Sequence, residues 1–285
     1  MRTGYPARLP DFLAVGPPRT ATTWLDAVLR GHVGLPAGAK ETHFFARNYG
    51  RGIDWYAAHF RQTDPGQKRG EVCAAYFENP EARERIQRHI PDCKIICTLR
   101  NPIDRLYSYY KLMRQGGKTD LPFEQAVRAH GKMLRFSRYA TILRAWQANF
   151  GEANVLAVIN DDLDCDPQSY VDQITSFIGA ESITLASQPT SLDRRNRIET
   201  APRNMTLARA ARSARSWLGA NSFYHTRSII GRAGFWRFCS EGGASFAPID
   251  PHTRSWLQEQ LANEIEQLED LLGRDLTAWK GGDTR

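Results

Sequence analysis

Residues 11–24, DFLAVGPPRTATTW, decide the fold class. Asp11 to Gly16 is a short apolar run ending in Gly-Pro-Pro, which reads as a buried strand entering a loop. Thr22 to Arg30 (TTWLDAVLR) follows with apolar residues at 24, 25, 28 and 29, a helical spacing, and Gly31 stops it. A strand, a turn and a helix in that order aim several backbone N–H groups and a helix N-terminus at one point. Such a nest holds phosphate or sulfate oxygens. The hydroxyls of Thr20, Thr22 and Thr23 and the guanidinium of Arg19 add donors. Laid on Gly16, the Walker A pattern G-x-x-x-x-G-K-[ST] needs Gly at 21, Lys at 22 and Ser or Thr at 23. The chain has Ala21, Thr22 and Thr23, and its basic residue comes earlier, at Arg19. The loop is therefore an anion loop related to Walker A but distinct from it. A strand–turn–helix with an ordinary Thr N-cap is the plainer alternative.

The same grammar recurs outward from that stretch. Asn79-Pro80-Glu81 supplies an N-cap, a Pro at the first helical position and an acid in the first turn, starting a helix to about His89 that Pro91 ends. Lys94 to Leu99 (KIICTL) is a second buried strand. Asn101-Pro102 turns the chain into a helix through Met113, ended by Gly116-Gly117. Phe123–His130 and Tyr139–Phe150 read as helices, and Asn154–Ile159 (NVLAVI) as a third strand. Asp166-Pro167 caps a helix with Tyr170, Val171, Ile174, Phe177 and Ile178 on one face and Gly179 at its end. Asp250-Pro251 starts the last helix, whose stripe is Leu257, Leu261, Ile265, Leu268 and Leu272. Strands alternating with helices predict an α/β fold: a P-loop-like, three-layer arrangement with a central, mainly parallel sheet flanked by helices. Residues 181–249 read as a loop-rich, Arg-rich extension within a single domain spanning 1–285.

Composition fits that reading. With 41% hydrophobic and 24% charged residues the 285-residue chain is globular. The net charge is +7, and residues 194–215 alone hold seven Arg against the single acid Glu199, so the rest is near neutral. A local patch suggests one anionic ligand site and argues against a nucleic-acid binder charged over its whole surface. A solvated, Arg-rich helix face is the bland alternative. Five cysteines without a CxxC, and without a Cys/His cluster beside Cys93 and Cys97, predict free thiols in a reducing compartment and no zinc ribbon. The N-terminal segment has no signal-peptide run, and no stretch approaches about 18 apolar residues. The expectation is a soluble cytoplasmic protein without a membrane span; its oligomeric state is not legible.

Two further clusters carry chemistry. In Leu99–Tyr110 (LRNPIDRLYSYY), Arg100 lies at the carboxyl end of a parallel strand, where open α/β sheets bind ligands, and Ser108 is eight residues on. An Arg fork and a hydroxyl converging there make a second anion site, and two such sites imply a nucleotide carrying two separate phosphate groups. Arg105 reads as a solvated helix residue. In Lys40–Phe45 (KETHFF), Glu41 and His43 are two apart and share a side of an extended segment. A carboxylate beside an imidazole in an aromatic setting is a candidate general base, against the alternative of two surface residues.

Together and in this order, the three clusters resemble the sulfotransferases that use 3′-phosphoadenosine 5′-phosphosulfate (PAPS), closest in look to the heparan-sulfate and related carbohydrate branch. The resemblance implies that GPPRTATTWL binds the 5′-phosphosulfate, through Arg19, Thr20, Ala21, Thr22, Thr23 and Trp24. It assigns the 3′-phosphate to Arg100 and Ser108. KETHFF followed by GIDWY looks like the family's catalytic segment, which makes Glu41 the base, His43 its neighbour and Arg19 the charge stabiliser. RYATILRAWQANFGEANVLAVINDDLDCDP is similar in pattern, and LLGRDLTAW more weakly. The activity implied by the resemblance is sulfuryl transfer from PAPS, leaving 3′,5′-ADP, to a hydroxyl or amine of a small-molecule, lipid or carbohydrate acceptor, without a metal and without nucleic acid. Departures stand at Arg19, where glycosaminoglycan members often have Lys, and in GEVCAAYF. There Val72 and Ala74-Ala75 replace a Lys and a Ser-Pro, the Lys being one that lines the heparan acceptor cleft. Arg194–Arg203 is the candidate for the basic loop that closes over the nucleotide. Two rivals remain: a P-loop-like kinase, disfavoured by Thr22 in the place of the Walker Lys, and a non-catalytic nucleotide or polyanion binder. A mere binder has no use for the Glu41 carboxylate beside its anion site.

Overall fold

The computed structural model describes residues 9–185, 198–220 and 234–281. The elements in chain order begin with β1 (Phe12–Ala14), α1 (Thr22–Leu29), α2 (Ile53–Ala58), β2 (Gly70–Val72), α3 (Pro80–His89), β3 (Lys94–Leu99) and α4 (Pro102–Gln115). They continue with α5 (Phe123–Ala129), α6 (Lys132–Arg135), α7 (Tyr139–Phe150), β4 (Val155–Ile159), α8 (Asn160–Cys165) and α9 (Pro167–Ile178). Last come β5 (Thr200–Pro202), α10 (Met205–Ala220), α11 (Phe235–Ser240), β6 (Gly242–Ser245), α12 (Pro251–Leu272) and α13 (Thr277–Lys280).

The chain divides into two compact units. The first comprises residues 1–102, 135–195 and 260–285. Its sheet is parallel throughout, in the order β2-β1-β3-β4. Phe12 pairs with Gly70 on one side and Lys94 on the other, and Ile95 pairs with Val155. FLA and KIICTL are apolar without alternation because the sheet is covered on both faces. On one face, Leu25, Val28 and Leu29 of α1 and Tyr170, Val171, Ile174 and Ile178 of α9 close over Phe12, Ala14, Ile96 and Val158. The Pro-started helices are capped as their sequences predict. The Asn79 side chain accepts from Ala82 N–H (3.1 Å), and Asp166 accepts from Gln168 and Ser169 N–H (3.1 and 3.0 Å). The fold class is the predicted one, and all five cysteines are free. The addition is β2, a strand of three residues and too short to carry a periodic signal. No helix among the described residues is long and apolar enough to cross a membrane.

The second unit comprises residues 103–134 and 196–259, and it corrects two expectations. Arg105 is wholly buried, not solvated: its guanidinium donates to the Met133 carbonyl at 2.8 Å. The four-residue helix α6 leaves carbonyls without partners inside the helix, and a long donor from α4 satisfies one of them. The stretch expected to be loop-rich holds α10, a helix of 16 residues, and the antiparallel pair β5–β6. Ala, Arg, Leu and Met favour α10. The helix buries Ala208 and Ala211 and leaves Arg209, Arg212 and Arg215 exposed, with Arg209 paired to Asp120 at 2.9 Å. The Arg excess there is thus largely the outer face of a helix. Arg194, Arg195 and Arg197 lie outside the described residues.

One close approach governs where the anion loop begins. A Cβ on Gly16 would lie 1.8 Å from Thr98 Oγ1 and 2.6 Å from the Thr98 carbonyl, so only glycine lets β1 leave the sheet against β3. Gly16→Ala is expected to destabilise the fold by about 1–3 kcal/mol, the usual cost of overpacking. Urea denaturation measures this; an unchanged midpoint would show that the strands part there freely.

Candidate active site

In the sheet order, β1 connects outward to β2 while β3 connects outward to β4 on the opposite side. The crevice beyond the carboxyl ends of β1 and β3 is therefore the topological switch point, where open α/β sheets bind ligands. Residues 16–21 fill it. Two of them, Arg19 (φ 81°) and Ala21 (φ 60°), are non-glycine residues in left-handed backbone, and Ala21 is the N-cap of α1. Alternation of left- and right-handed residues turns successive amides toward one point, which makes an anion nest at a helix N-terminus. Thr20 pins the loop from inside. Its hydroxyl donates to the Pro17 carbonyl (2.7 Å) and shares a hydrogen bond with Thr98 Oγ1 (2.7 Å), all of it buried. The Thr20 side chain is thus engaged within the fold, and any part it takes in anion binding falls to its backbone. Thr22 is buried and Thr23 exposed. Trp24 packs edge-on against Tyr170 (centroids 6.0 Å apart), a contact with the core.

Arg100 follows β3 directly, on the strand beside the loop. Burial, and then the Arg100 charge, hold the Arg19 guanidinium below its ordinary pKa. Like charges near each other repel, and an anion bound beside them relieves that repulsion. Ser108 lies on α4 within the second unit.

The KETHFF segment adjoins the loop. Lys40 Nζ donates to Thr23 Oγ1 (3.2 Å), in the first turn of α1, and to Glu41 Oε1 (3.4 Å). The other oxygen, Oε2, faces His43 Nε2 at 3.5 Å and Cys73 Sγ at 3.7 Å. Cys73 Sγ is in turn 3.6 Å from His43 Nδ1. Glu41 and His43 are each 22% exposed along their side chains, so the group opens to solvent. His43 holds left-handed backbone (φ 52°), and burial, then the Arg47 charge, keep its imidazole below the ordinary histidine pKa. Glu41, His43, Arg19 and Arg100 all lie in the first unit.

Sequence reasoning missed what holds the segment in place. Glu71 of β2 is wholly buried. Its Oε1 accepts from Thr42 N–H (2.6 Å) and Thr42 Oγ1 (2.8 Å), and its Oε2 from the hydroxyls of Tyr56 (2.9 Å) and Tyr76 (3.0 Å). Burial drives the Glu71 pKa up, and the hydrogen bonds from Thr42, Tyr56 and Tyr76 pull against it. Burial and then the Glu71 charge keep both tyrosines well above their ordinary range, so they remain donors. Phe44 stacks on Tyr56 (4.6 Å, 8°) and Phe45 meets Tyr56 and Tyr76 edge-on, enclosing the carboxylate in aromatic rings. The signal was present in GEVCAAYF, an acid inside an apolar run, as was Lys40 beside Glu41.

The chain matches the sulfotransferase domain family over residues 9–204, and it belongs to that family, whose members draw the sulfuryl group from PAPS. It is 33% identical over 187 residues to heparan sulfate glucosamine 3-O-sulfotransferase 6 of Mus musculus and of Homo sapiens, covering 62% of this chain and 54% of those relatives. It is 31% identical over 195 residues to the human bifunctional heparan sulfate N-deacetylase/N-sulfotransferase 3, covering 60% of this chain and 22% of that one. The chain thus spans about half the length of the first relatives and about a fifth of the second. The crystal structure of a sulfotransferase from Alicyclobacillus acidocaldarius shares the fold, with a TM-score of 0.67 over 96% of this chain and 99% of that one, at 21% identity.

Glu71→Gln turns one accepting oxygen into an NH₂ donor, facing either the Thr42 donors or the two tyrosine hydroxyls. The expected cost is about 1–3 kcal/mol of stability, against about 1 kcal/mol for Tyr56→Phe, which leaves Tyr76 on the same oxygen. Chemical denaturation of both variants reads the difference. A Glu71→Gln protein as stable as wild type would show that the carboxylate does not hold the segment.

Proposed function

We propose that the chain transfers a sulfuryl group from PAPS to a hydroxyl or amine of an acceptor, with Glu41 as general base. The observation that carries the proposal is the link between the anion loop and the carboxylate. Arg19 in the loop and Arg100 just after β3 lie at the switch point, and Lys40 ties Thr23, in the first turn of α1, to Glu41. A binder of anions gains nothing from a carboxylate held there, whereas a transferase needs one beside the group it transfers.

In this reading the loop amides and Arg19 grip the phosphosulfate. As the acceptor oxygen or nitrogen bonds to sulfur, Glu41 takes its proton. The bond from sulfur to the bridging oxygen breaks, and Arg19 with the α1 N-terminus takes up the charge gathering on the departing phosphate. His43, kept neutral by its surroundings, and Lys40 flank Glu41 and fix its orientation. Arg100 reads the 3′-phosphate. A sulfuryl group carries less charge than a phosphoryl group, so the arrangement works without a metal. The acceptor is a hydroxyl or amine on a carbohydrate, a lipid or another small molecule. The relatives' names make glucosamine-containing saccharides the first acceptors to assay.

The nucleotide assignment predicts that 3′,5′-ADP raises the melting temperature far more than ATP with Mg²⁺. Arg100→Ala should weaken 3′,5′-ADP binding by about 1.5–3 kcal/mol, the loss of a charge-assisted hydrogen bond. Equal shifts from the two nucleotides would end the 3′-phosphate assignment.

The base assignment predicts that Glu41→Gln binds 3′,5′-ADP as well as wild type, yet loses about 10²-fold or more in single-turnover transfer from labelled PAPS. A variant transferring at nearly the wild-type rate would remove Glu41 from the chemistry.

A further inference from the structure

The side of Glu41 turned away from Lys40 has a composition that acid–base chemistry does not call for. Glu41 Oε2, an imidazole nitrogen of His43 and Cys73 Sγ meet there, with all three donor atoms within 4.8 Å of one another. Among the described residues this is the one trio of Glu, Asp, His and Cys so arranged. The pairwise separations are 3.5 Å (Nε2 to Oε2), 3.6 Å (Nδ1 to Sγ) and 3.7 Å (Oε2 to Sγ). Zinc bonds of about 2.3 Å to sulfur and about 2.0–2.2 Å to nitrogen or oxygen, set at tetrahedral angles, put ligand atoms about 3.4–3.6 Å apart. Oε2 to Sγ, and each imidazole nitrogen to the donor it faces, stand close to that spacing; with a single nitrogen ligating, all three donors lie within 4.8 Å of one another. Each imidazole nitrogen faces one of the other two donors, so a turn of the ring selects which nitrogen ligates.

We propose that Glu41, His43 and Cys73 form a site for a thiophilic divalent cation, Zn²⁺ above all, whose capture shuts the enzyme off by taking the general base. The inference rests on the reading of Glu41 as that base for its functional consequence, but not for the metal binding itself. Two chemical facts support it. Thiolate, imidazole and carboxylate together select zinc-like ions over Mg²⁺ or Ca²⁺, which prefer all-oxygen shells. The carboxylate and the thiolate together match the ion's two charges. Capture forms a sulfur–metal bond and releases the Cys73 proton to solvent. Three protein ligands leave the fourth position to water, and the partly exposed side chains of Glu41 and His43 give the ion its entry.

Cobalt tests the site directly, since Co²⁺ takes zinc's place and reports its ligands by colour. One equivalent of Co²⁺ added to the purified full chain should give the near-ultraviolet thiolate-to-cobalt band and the intense visible bands of four-coordinate cobalt, and Zn²⁺ should erase both. Cys73→Ser removes the soft ligand. It should lose the thiolate band, and Zn²⁺ should inhibit its transfer activity at least about tenfold less well than that of wild type, since losing even an outer partner of a ligand costs about 10–100-fold. Its 3′,5′-ADP thermal shift should stay at the wild-type value. Should Cys73→Ser not fold, His43→Gln in the cobalt titration alone serves the same end by weakening the band. EDTA should restore zinc-treated wild type to full activity. Only weak, pale-pink octahedral cobalt in wild type would overturn the proposal, as would a thiolate band that survives Cys73→Ser. The spectrum needs no turnover, so a chain that binds cobalt as described but transfers no sulfuryl group would overturn the proposed function and not the metal site.

Discussion

The carboxylate of Glu71, sealed between β2 and the segment after residue 40, organises the site through four hydrogen bonds. Residues 40–48 belong to no helix or strand, so no ladder satisfies their backbone. Side chains do much of this, beside the His43 carbonyl, which accepts from Ala46 and Asn48 N–H. Thr42 donates to Glu71 and accepts from Phe44 N–H; Tyr76 donates to Glu71 and accepts from Phe45 N–H. Arg85 donates to the carbonyls of Phe45 and Ala46, and Asn48 to that of Thr42. Thr42 is the residue between Glu41 and His43. Fixing it at both its N–H and its hydroxyl sets where those two side chains emerge. A buried acid is costly unless every lone pair it offers is matched, and here two donors meet each oxygen.

That division of labour explains what could be read from the chain and what could not. Strands covered on both faces are long apolar runs, and KIICTL and NVLAVI announce themselves as such. The helices after Asn79-Pro80 and Asp166-Pro167 carry their stop and start signals in adjacent residues. The anion loop and KETHFF were legible because their chemistry is local: a Gly, an Arg and three Thr in one turn, a Glu and a His two apart. Glu71 was not, because its meaning lies in Thr42, Tyr56 and Tyr76, which are 29, 15 and 5 residues away. Arg105 failed for the same reason. A charged residue on a helix is exposed by default, and the carbonyl of Met133 that helps make its burial tolerable lies 28 residues on. In α10 the error had another source. The excess of Arg drew attention to charge and away from the Ala-rich background that makes the stretch helical.

Backbone strain is the other half of the arrangement. Among the described residues, the non-glycine positions with positive φ are Arg19, Ala21 and His43, and all three belong to the site. Such conformations cost on the order of 1–3 kcal/mol each where the surroundings do not hold them. Glycine at those positions would lower the strain, but Arg19→Gly would also delete a guanidinium and His43→Gly an imidazole. The strain accompanies side chains that must be aimed, and its offset comes from the groups that pin the backbone on either side. Thr20 is anchored to Pro17 and Thr98 between the two strained residues of the loop, and Thr42 is anchored to Glu71 just before His43. In both segments a buried threonine next to the strained residue carries the hydrogen bonds, and the strained residue presents its side chain or its amide outward.

The two anchors also join. Thr20 reaches Thr98 on β3, Thr42 reaches Glu71 on β2, and β1 lies between those strands in register with both. Three adjacent strands thus hold the anion loop on one flank and the carboxylate segment on the other, and Lys40 closes the span by bonding Thr23 and Glu41 at once. A rigid sheet under both halves keeps the separation between the anion loop and the Glu41 carboxylate from drifting. Lys40 engages one oxygen of Glu41 and leaves the other to the imidazole and thiol, so both edges of the carboxylate are held by side chains of the same unit.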